Sequence, residues 1–199
     1  MVRFMNNEMI KNDGTSKNVI HIFGASGSGT TTLGNKICKE LNYKLLDVDD
    51  YFWLPTNPPF TQKRATEERL MLMKNDIEKF QNVVISGSIV GWGDELIPYF
   101  TLAIRIEMEK SLRIERLEKR EKERFGSRIE FGGDMYKQHI DFIEWAKMYD
   151  DGDNTIRSKK LHDEWQKQLS CEIFYLDGAD NLKQNFMKVI EKFELQKLV

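Results

Sequence analysis

The sequence predicts an α/β fold, a parallel β-sheet with helices packed on both faces. Two observations carry this. Short apolar runs alternate along the chain with longer stretches of helical periodicity, the order expected when parallel strands are joined by crossover helices. A glycine-rich turn also stands between the first apolar run and the first helical stretch. A turn of that kind directs backbone amides and a helix N-terminus toward an anion.

The elements follow in order. Residues 1–17 are polar and read as a flexible leader, with one domain expected over 18–199. Val19, Ile20, Ile22 and Phe23 mark a buried strand, and a helix follows at about 30–42. A second strand is expected over 43–49. A loop with Pro55, Pro58 and Pro59 then leads to a helix near 65–81, where Leu70, Met73, Ile77 and Phe80 recur at helical spacing. A third strand at 83–85 ends in the loop 86–93. Strands at 101–107 and 172–176 bracket helical stretches at 109–125, 134–149 and 155–169, and a last helix is expected at 180–197. The sequence contains no internal repeat, low-complexity tract or linker.

Composition narrows the function classes. At 199 residues the chain is long enough for one domain with a sizeable core. Its 30 Lys and Arg nearly balance 32 Asp and Glu, which argues against a general nucleic-acid binder. A nucleic-acid-associated factor with a local basic face remains open. Apolar and aromatic content of 40% and 11% argue against disorder. No stretch approaches the roughly 18 apolar residues of a membrane span, and no secretory signal is apparent at the N-terminus. Two cysteines, Cys38 and Cys171, are too few for a disulfide scaffold. A reduced, cytoplasmic protein is the expectation.

The strongest motif runs over 24–32: Gly24, Ala25, Ser26, Gly27, Ser28, Gly29, Thr30, Thr31 and Thr32. Three glycines in six residues let the backbone curl around an anion at the start of a helix. The segment resembles the GxxGxGK[ST] loop of P-loop kinases. That resemblance implies that these residues cradle the phosphates of ATP or another nucleoside triphosphate, with Thr31 helping to hold Mg²⁺. In one respect the chain departs from the pattern. Thr30 stands where those kinases carry lysine, so the usual point charge on the β- and γ-phosphates must come from elsewhere or be missing.

Asp47, Asp49 and Asp50 close the second expected strand. Alternation would put Asp47 and Asp49 on one face, at the strand end where open α/β sheets bind ligands. The arrangement is similar to the strand-end Asp-x-Asp of shikimate-kinase-like and gluconate-kinase-like enzymes, and Asp50-Tyr-Phe resembles nucleoside kinases. By that likeness Asp49 is the first candidate to orient Mg²⁺ or to deprotonate an acceptor, with Asp47 and Asp50 as substrate contacts. An acidic turn or helix cap is the alternative. In adenylate-kinase-like enzymes the comparable Asp ends the third strand, where this chain has Ile85, Ser86, Gly87 and Ser88.

Residues of about 51–75 occupy the place of the acceptor-binding flap of nucleoside monophosphate kinases. Trp53, Lys63 and Arg64 there suit a planar or anionic acceptor, although a surface loop explains them equally well. Ser86, Ser88 and Trp92 should border the same cleft. The helix near 109–125 carries Arg113, Arg116, Arg120 and Arg124 at spacings of 3, 4 and 4, which lines them along one face. Interleaved glutamates allow a merely salt-bridged helix. The stripe resembles the helix entering the lid of adenylate-kinase-like proteins, here about 113–135. This implies nucleotide contacts at Arg116 and Arg120, with Arg124 and Arg128 nearer the moving lid. The Asp177-Gly178-Ala179 turn is similar to the adenine-side loop of the same kinases.

Phe142, Trp145 and Tyr149, like Leu161, Trp165 and Leu169, read as core stripes. His21, His139 and His162 lack metal-ligand spacing, and 150–154 reads as a turn into a helix capped by Asn154 rather than a calcium loop. The resemblance implies a five-stranded parallel sheet of order 2-3-1-4-5 in a three-layer αβα sandwich with a helical lid. It implies ATP-dependent phosphoryl transfer to a small molecule or nucleotide. The Asp pair favours a hydroxyl-bearing metabolite or nucleoside, and the arginines and flap favour a nucleoside monophosphate. A nucleotide-binding module without kinase chemistry, suggested by Thr30, is the alternative.

Overall fold

A computed structural model describes residues 17–196, so the expected leader lies outside the described residues except for Lys17. Five strands form one sheet: β1 Asn18–Gly24, β2 Lys44–Asp47, β3 Asn82–Ser86, β4 Leu102–Glu107 and β5 Glu172–Asp177, in the order β2-β3-β1-β4-β5. Every pairing is parallel. The helices are α1 Thr30–Leu41, α2 Val48–Phe52, α3 Thr66–Lys79, α4 Lys110–Phe125, α5 Tyr136–Lys147, α6 Lys159–Trp165 and α7 Leu182–Gln196. The expected α/β class and strand order are both present.

The sheet is buried on both faces because its strands present apolar side chains in both directions. On one face Val19, Phe23 and Ile85 pack with Met73 and Ile77 of α3 and Trp165 of α6. On the other, Ile20, Ile22 and Ile104 meet Leu33 and Ile37 of α1 and Val189 of α7. Fully burying one such side chain is worth about 1.5–3 kcal/mol. His21 breaks the apolar run of β1. It is buried, stacks on Phe100 with centroids 4.8 Å apart, and donates Nε2–H to the Gly87 carbonyl at 3.0 Å.

Two local expectations are corrected. The second strand stops at Asp47, and Asp49 lies in α2 rather than on a strand face beside it. The Asp47 carboxylate accepts the Asp49 N–H at 3.1 Å, a side-chain cap that starts a helix in place of further strand. The acidic first turn suits the helix dipole. The helix expected from about 155 under an Asn154 cap begins instead at Lys159. Ser158 caps it, accepting the Leu161 N–H at 3.0 Å.

Candidate active site

The backbone of the turn between β1 and α1 runs close against α4 and β4, which is what its glycines permit. Gly27 has φ +84°, and a Cβ there would lie 2.6 Å from the Arg113 carbonyl of α4. Gly24 runs against β4, where a Cβ would lie 2.4 Å from the Ile106 carbonyl. At the start of α1, Gly29 adopts a left-handed conformation and no side chain caps the first turn, so no side-chain acceptor occupies the first-turn amides.

At the far end of this loop, Thr31 donates its hydroxyl to Asp47 Oδ2 at 3.1 Å, and Ser86 Oγ donates to Thr31 Oγ1 at 3.4 Å. Asp47, not Asp49, is therefore the carboxylate that meets the loop. Burial pushes its carboxyl above the usual range and the neighbouring Asp49 charge adds to this; hydrogen bonds from the Asp49 amide and Thr31 act in the opposite direction. A hydroxyl and a carboxylate side by side form a hard oxygen donor set of the kind Mg²⁺ accepts.

Beside the loop opens a cavity of about 570 Å³. Its floor includes Thr30, Thr31, Asp47 and Asp49, and one wall is aromatic, with Phe52, Trp53, Phe60 and Trp92. The flap carrying three of these rings is folded back by an antiparallel bridge between Trp53 and Lys63. It is also tied to α5 and to the turn preceding it. Gln138 Nε2 donates to the Pro59 carbonyl at 2.8 Å, and Arg128 Nη2 donates to Asn57 Oδ1 at 3.0 Å.

The other expected residues divide. Ser88 and Trp92 line the cavity, as do Arg120 and Arg124. Asp50, Arg64, Arg116 and Thr32 lie outside its wall. Arg64 is engaged by the Tyr51 carbonyl and Glu68. Arg116 Nη1 donates to the Gly178 carbonyl at 3.0 Å, joining α4 to the turn after β5. Arg113 is fully buried and ion-paired with Asp150. Ser28 is buried.

Phe142 and Trp145 of α5 pack against the buried cluster of Leu117, Ile143 and Ala146, as a core stripe should, and they also line the cavity, as does His139. Ser88 Oγ and His162 Nε2 are 2.8 Å apart, and Tyr149 Oη is 2.8 Å from His162 Nδ1. Burial, reinforced by the charges of Arg157 and Arg105, holds the His162 imidazole well below its usual range, so it is neutral.

Arg157, between α5 and α6, was not singled out by any local pattern. Its Nη2 donates to Ser26 Oγ of the phosphate loop at 2.5 Å, across 131 residues of sequence. Burial lowers the guanidinium's pKa from the usual arginine range, and the charges of Asp49 and Tyr149 offset part of that.

Residues 20–140 match a family model described as an AAA domain. Over 175 residues the chain is 38% identical to the uncharacterized protein YqaC of Bacillus subtilis (strain 168), covering 88% of this chain and 97% of that protein. Among solved structures, shikimate kinase from Bacteroides thetaiotaomicron aligns with a TM-score of 0.53 and 17% identity, over 89% of this chain and 98% of that one. Deoxyadenosine kinase from M. mycoides with bound dATP aligns with a TM-score of 0.52 and 13% identity, over 89% and 99%. At these identities the likeness is one of fold, and the fold is that of the P-loop kinases.

Proposed function

Because the chain belongs to the AAA-domain family and has the fold of the P-loop kinases, we propose that it transfers the terminal phosphoryl group of ATP, or another nucleoside triphosphate, to a small-molecule or nucleotide acceptor. One observation carries the reading. The glycine-rich loop, the Thr31–Asp47 pair and an aromatic acceptor wall face a single cavity at the C-terminal ends of the strands.

In this reading the amides of 24–32 hold the phosphate chain. Thr31 and Asp47 are the residues that would hold Mg²⁺, which would supply neutralisation of phosphate charge. The aromatic wall orients the acceptor and excludes water. The acceptor oxygen bonds to the γ-phosphorus as the bond to the β-phosphate bridging oxygen breaks, and the diphosphate leaves. Asp49, whose exposed carboxylate lines the cavity, accepts the proton of a hydroxyl acceptor. Arg120 and Arg124, entering from the lid, stabilise charge on the transferring group. Among the described residues no helix is long and apolar enough to cross a membrane. With Cys38 and Cys171 both free, we place the protein in the cytoplasm, where ATP is available.

The second reading, a nucleotide-binding module without transfer, is favoured by Thr30 alone. Titration calorimetry with ATP and Mg²⁺, followed by a screen of hydroxylated metabolites, nucleosides and nucleoside monophosphates, separates the two. Binding with phosphorylated product supports the kinase. Binding without transfer to any acceptor supports the module, and failure to bind any nucleoside triphosphate sinks both.

A further inference from the structure

We propose that Arg157, from the segment between α5 and α6, binds the nucleotide's phosphate chain and supplies the cation that the phosphate loop itself does not carry at Thr30. This rests on the reading of the loop as a phosphate site.

Thr30 lines the cavity with a short neutral side chain. Arg157 lines the same cavity and already touches the loop through Ser26. Its guanidinium lies over Trp145, with Cζ 4.4 Å from the ring centroid, which holds the planar fork at a defined angle. One donor of that fork is used on Ser26. Nε is buried and has no hydrogen-bond partner among the described residues.

Several arginines near the site already have carboxylate partners. Arg105 is paired with Asp163 and Glu107, and Arg113 with Asp150. Arg157 makes no ion pair among the described residues. Arg69, Arg116 and Arg124 also make none. Arg69 and Arg116 lie outside the cavity wall, over Phe52 and against the Gly178 carbonyl. Arg124 lines the cavity with Cζ 5.0 Å from the Phe60 ring centroid, and Arg157 is the one of these four that hydrogen-bonds the loop, through Ser26. A cation that faces an anion-binding loop and makes no ion-pair contact, feeling the Asp49 carboxylate only through space, retains capacity for an anionic ligand. Arginine's fork suits phosphate oxygens, which it can grip bidentately.

The segment is also anchored where Arg157 leaves it. The next residue, Ser158, caps α6 and donates its hydroxyl to the Asp153 carbonyl at 2.7 Å, and the Lys159 amide donates to the Tyr149 carbonyl at 2.7 Å. The guanidinium thus projects from a fixed turn, so little ordering cost remains for ligand binding.

The test is the affinity of the full chain for Mg²⁺-ATP by calorimetry, with thermal melts to verify folding. Arg157→Ala should weaken binding by about tenfold or more, Arg157→Lys should weaken it less, and Thr30→Lys placed in the Arg157→Ala background should restore most of the loss. A lysine returned to position 30 cannot repair a merely structural defect at 157, so rescue isolates the charge. Unchanged ATP affinity in Arg157→Ala overturns the inference and leaves the nucleotide-binding reading intact. Loss without rescue by Thr30→Lys also overturns it, assigning Arg157 a packing role. If the unaltered protein binds no nucleoside triphosphate, the functional reading and this inference fall together.

Discussion

Thr31 Oγ1 and Asp47 Oδ2 are joined by a 3.1 Å hydrogen bond that ties the first turn of α1 to the last residue of β2. The same carboxylate caps α2 through the Asp49 amide, so one side chain ties the end of the phosphate loop to the start of α2. Asp47→Ala is expected to remove the Mg²⁺ dependence of ATP binding. Titrations with and without Mg²⁺ should differ for the unaltered protein and coincide for the variant. A variant that keeps the full Mg²⁺ effect would show that Asp47 is only a cap.

His21 makes stability depend on pH. Burial lowers its pKa from 6.5 to about 4, while an unfolded imidazole titrates at its ordinary value. Between those values the unfolded state binds more protons, so stability falls as pH drops through this window. The loss is on the order of 3 kcal/mol by pH 4, and His162, shifted in the same direction, adds to it. The raised carboxyl of Asp47 acts oppositely. Urea denaturation at pH 7 and 4.5 should show the drop, and His21→Phe should shrink it. An identical pH slope in the variant would remove His21 as the cause.

Arg113 is fully buried and its ion-pair partner, Asp150, is partly exposed. Asp150→Ala leaves that guanidinium in the interior without its carboxylate, held by the Met108 carbonyl and the Tyr149 ring. A destabilisation of about 3 kcal/mol is expected, read from chemical denaturation. Adding Arg113→Leu should recover part of it by removing the stranded charge.

Gly178 presses the turn after β5 against the phosphate loop, and a Cβ there would lie 2.7 Å from the Ser28 carbonyl. Neither backbone can yield cheaply. Gly178→Ala should therefore cost roughly 1–3 kcal/mol of stability and weaken ATP binding, since the displaced segment is the loop itself. Unaltered stability and affinity would mean that the turn moves freely.

Much of this architecture is legible along the chain. The five strands are visible because each is a short apolar run, and the helices between them because their buried positions recur at helical spacing. The errors fall where one side chain decides a boundary. Strand alternation extended β2 to Asp49, but the Asp47 carboxylate captures the Asp49 amide and starts a helix. Asn154 and Ser158 are both reasonable caps, and the hydroxyl of Ser158 is the one that meets a free amide. In the candidate site, the arginine stripe of α4 is present, yet its members diverge. Arg113 is internal, Arg116 binds Gly178, and Arg120 and Arg124 line the cavity. Periodicity orders side chains on one face of a helix but does not specify what that face meets.

The sequence by itself determined the α/β class, the phosphate loop and the absence of a lysine from it, because strand patterning and loop curvature depend on residues a few positions apart. Tertiary structure decided which cation stands beside that loop. Arg157 belongs to no local pattern, and it reaches Ser26 because β1, α5 and the turn before α6 converge at the strand ends. It likewise joined Ser88 to His162 across 74 residues. Contacts between segments so distant are set by how layers pack on the sheet, and no short-range periodicity records that.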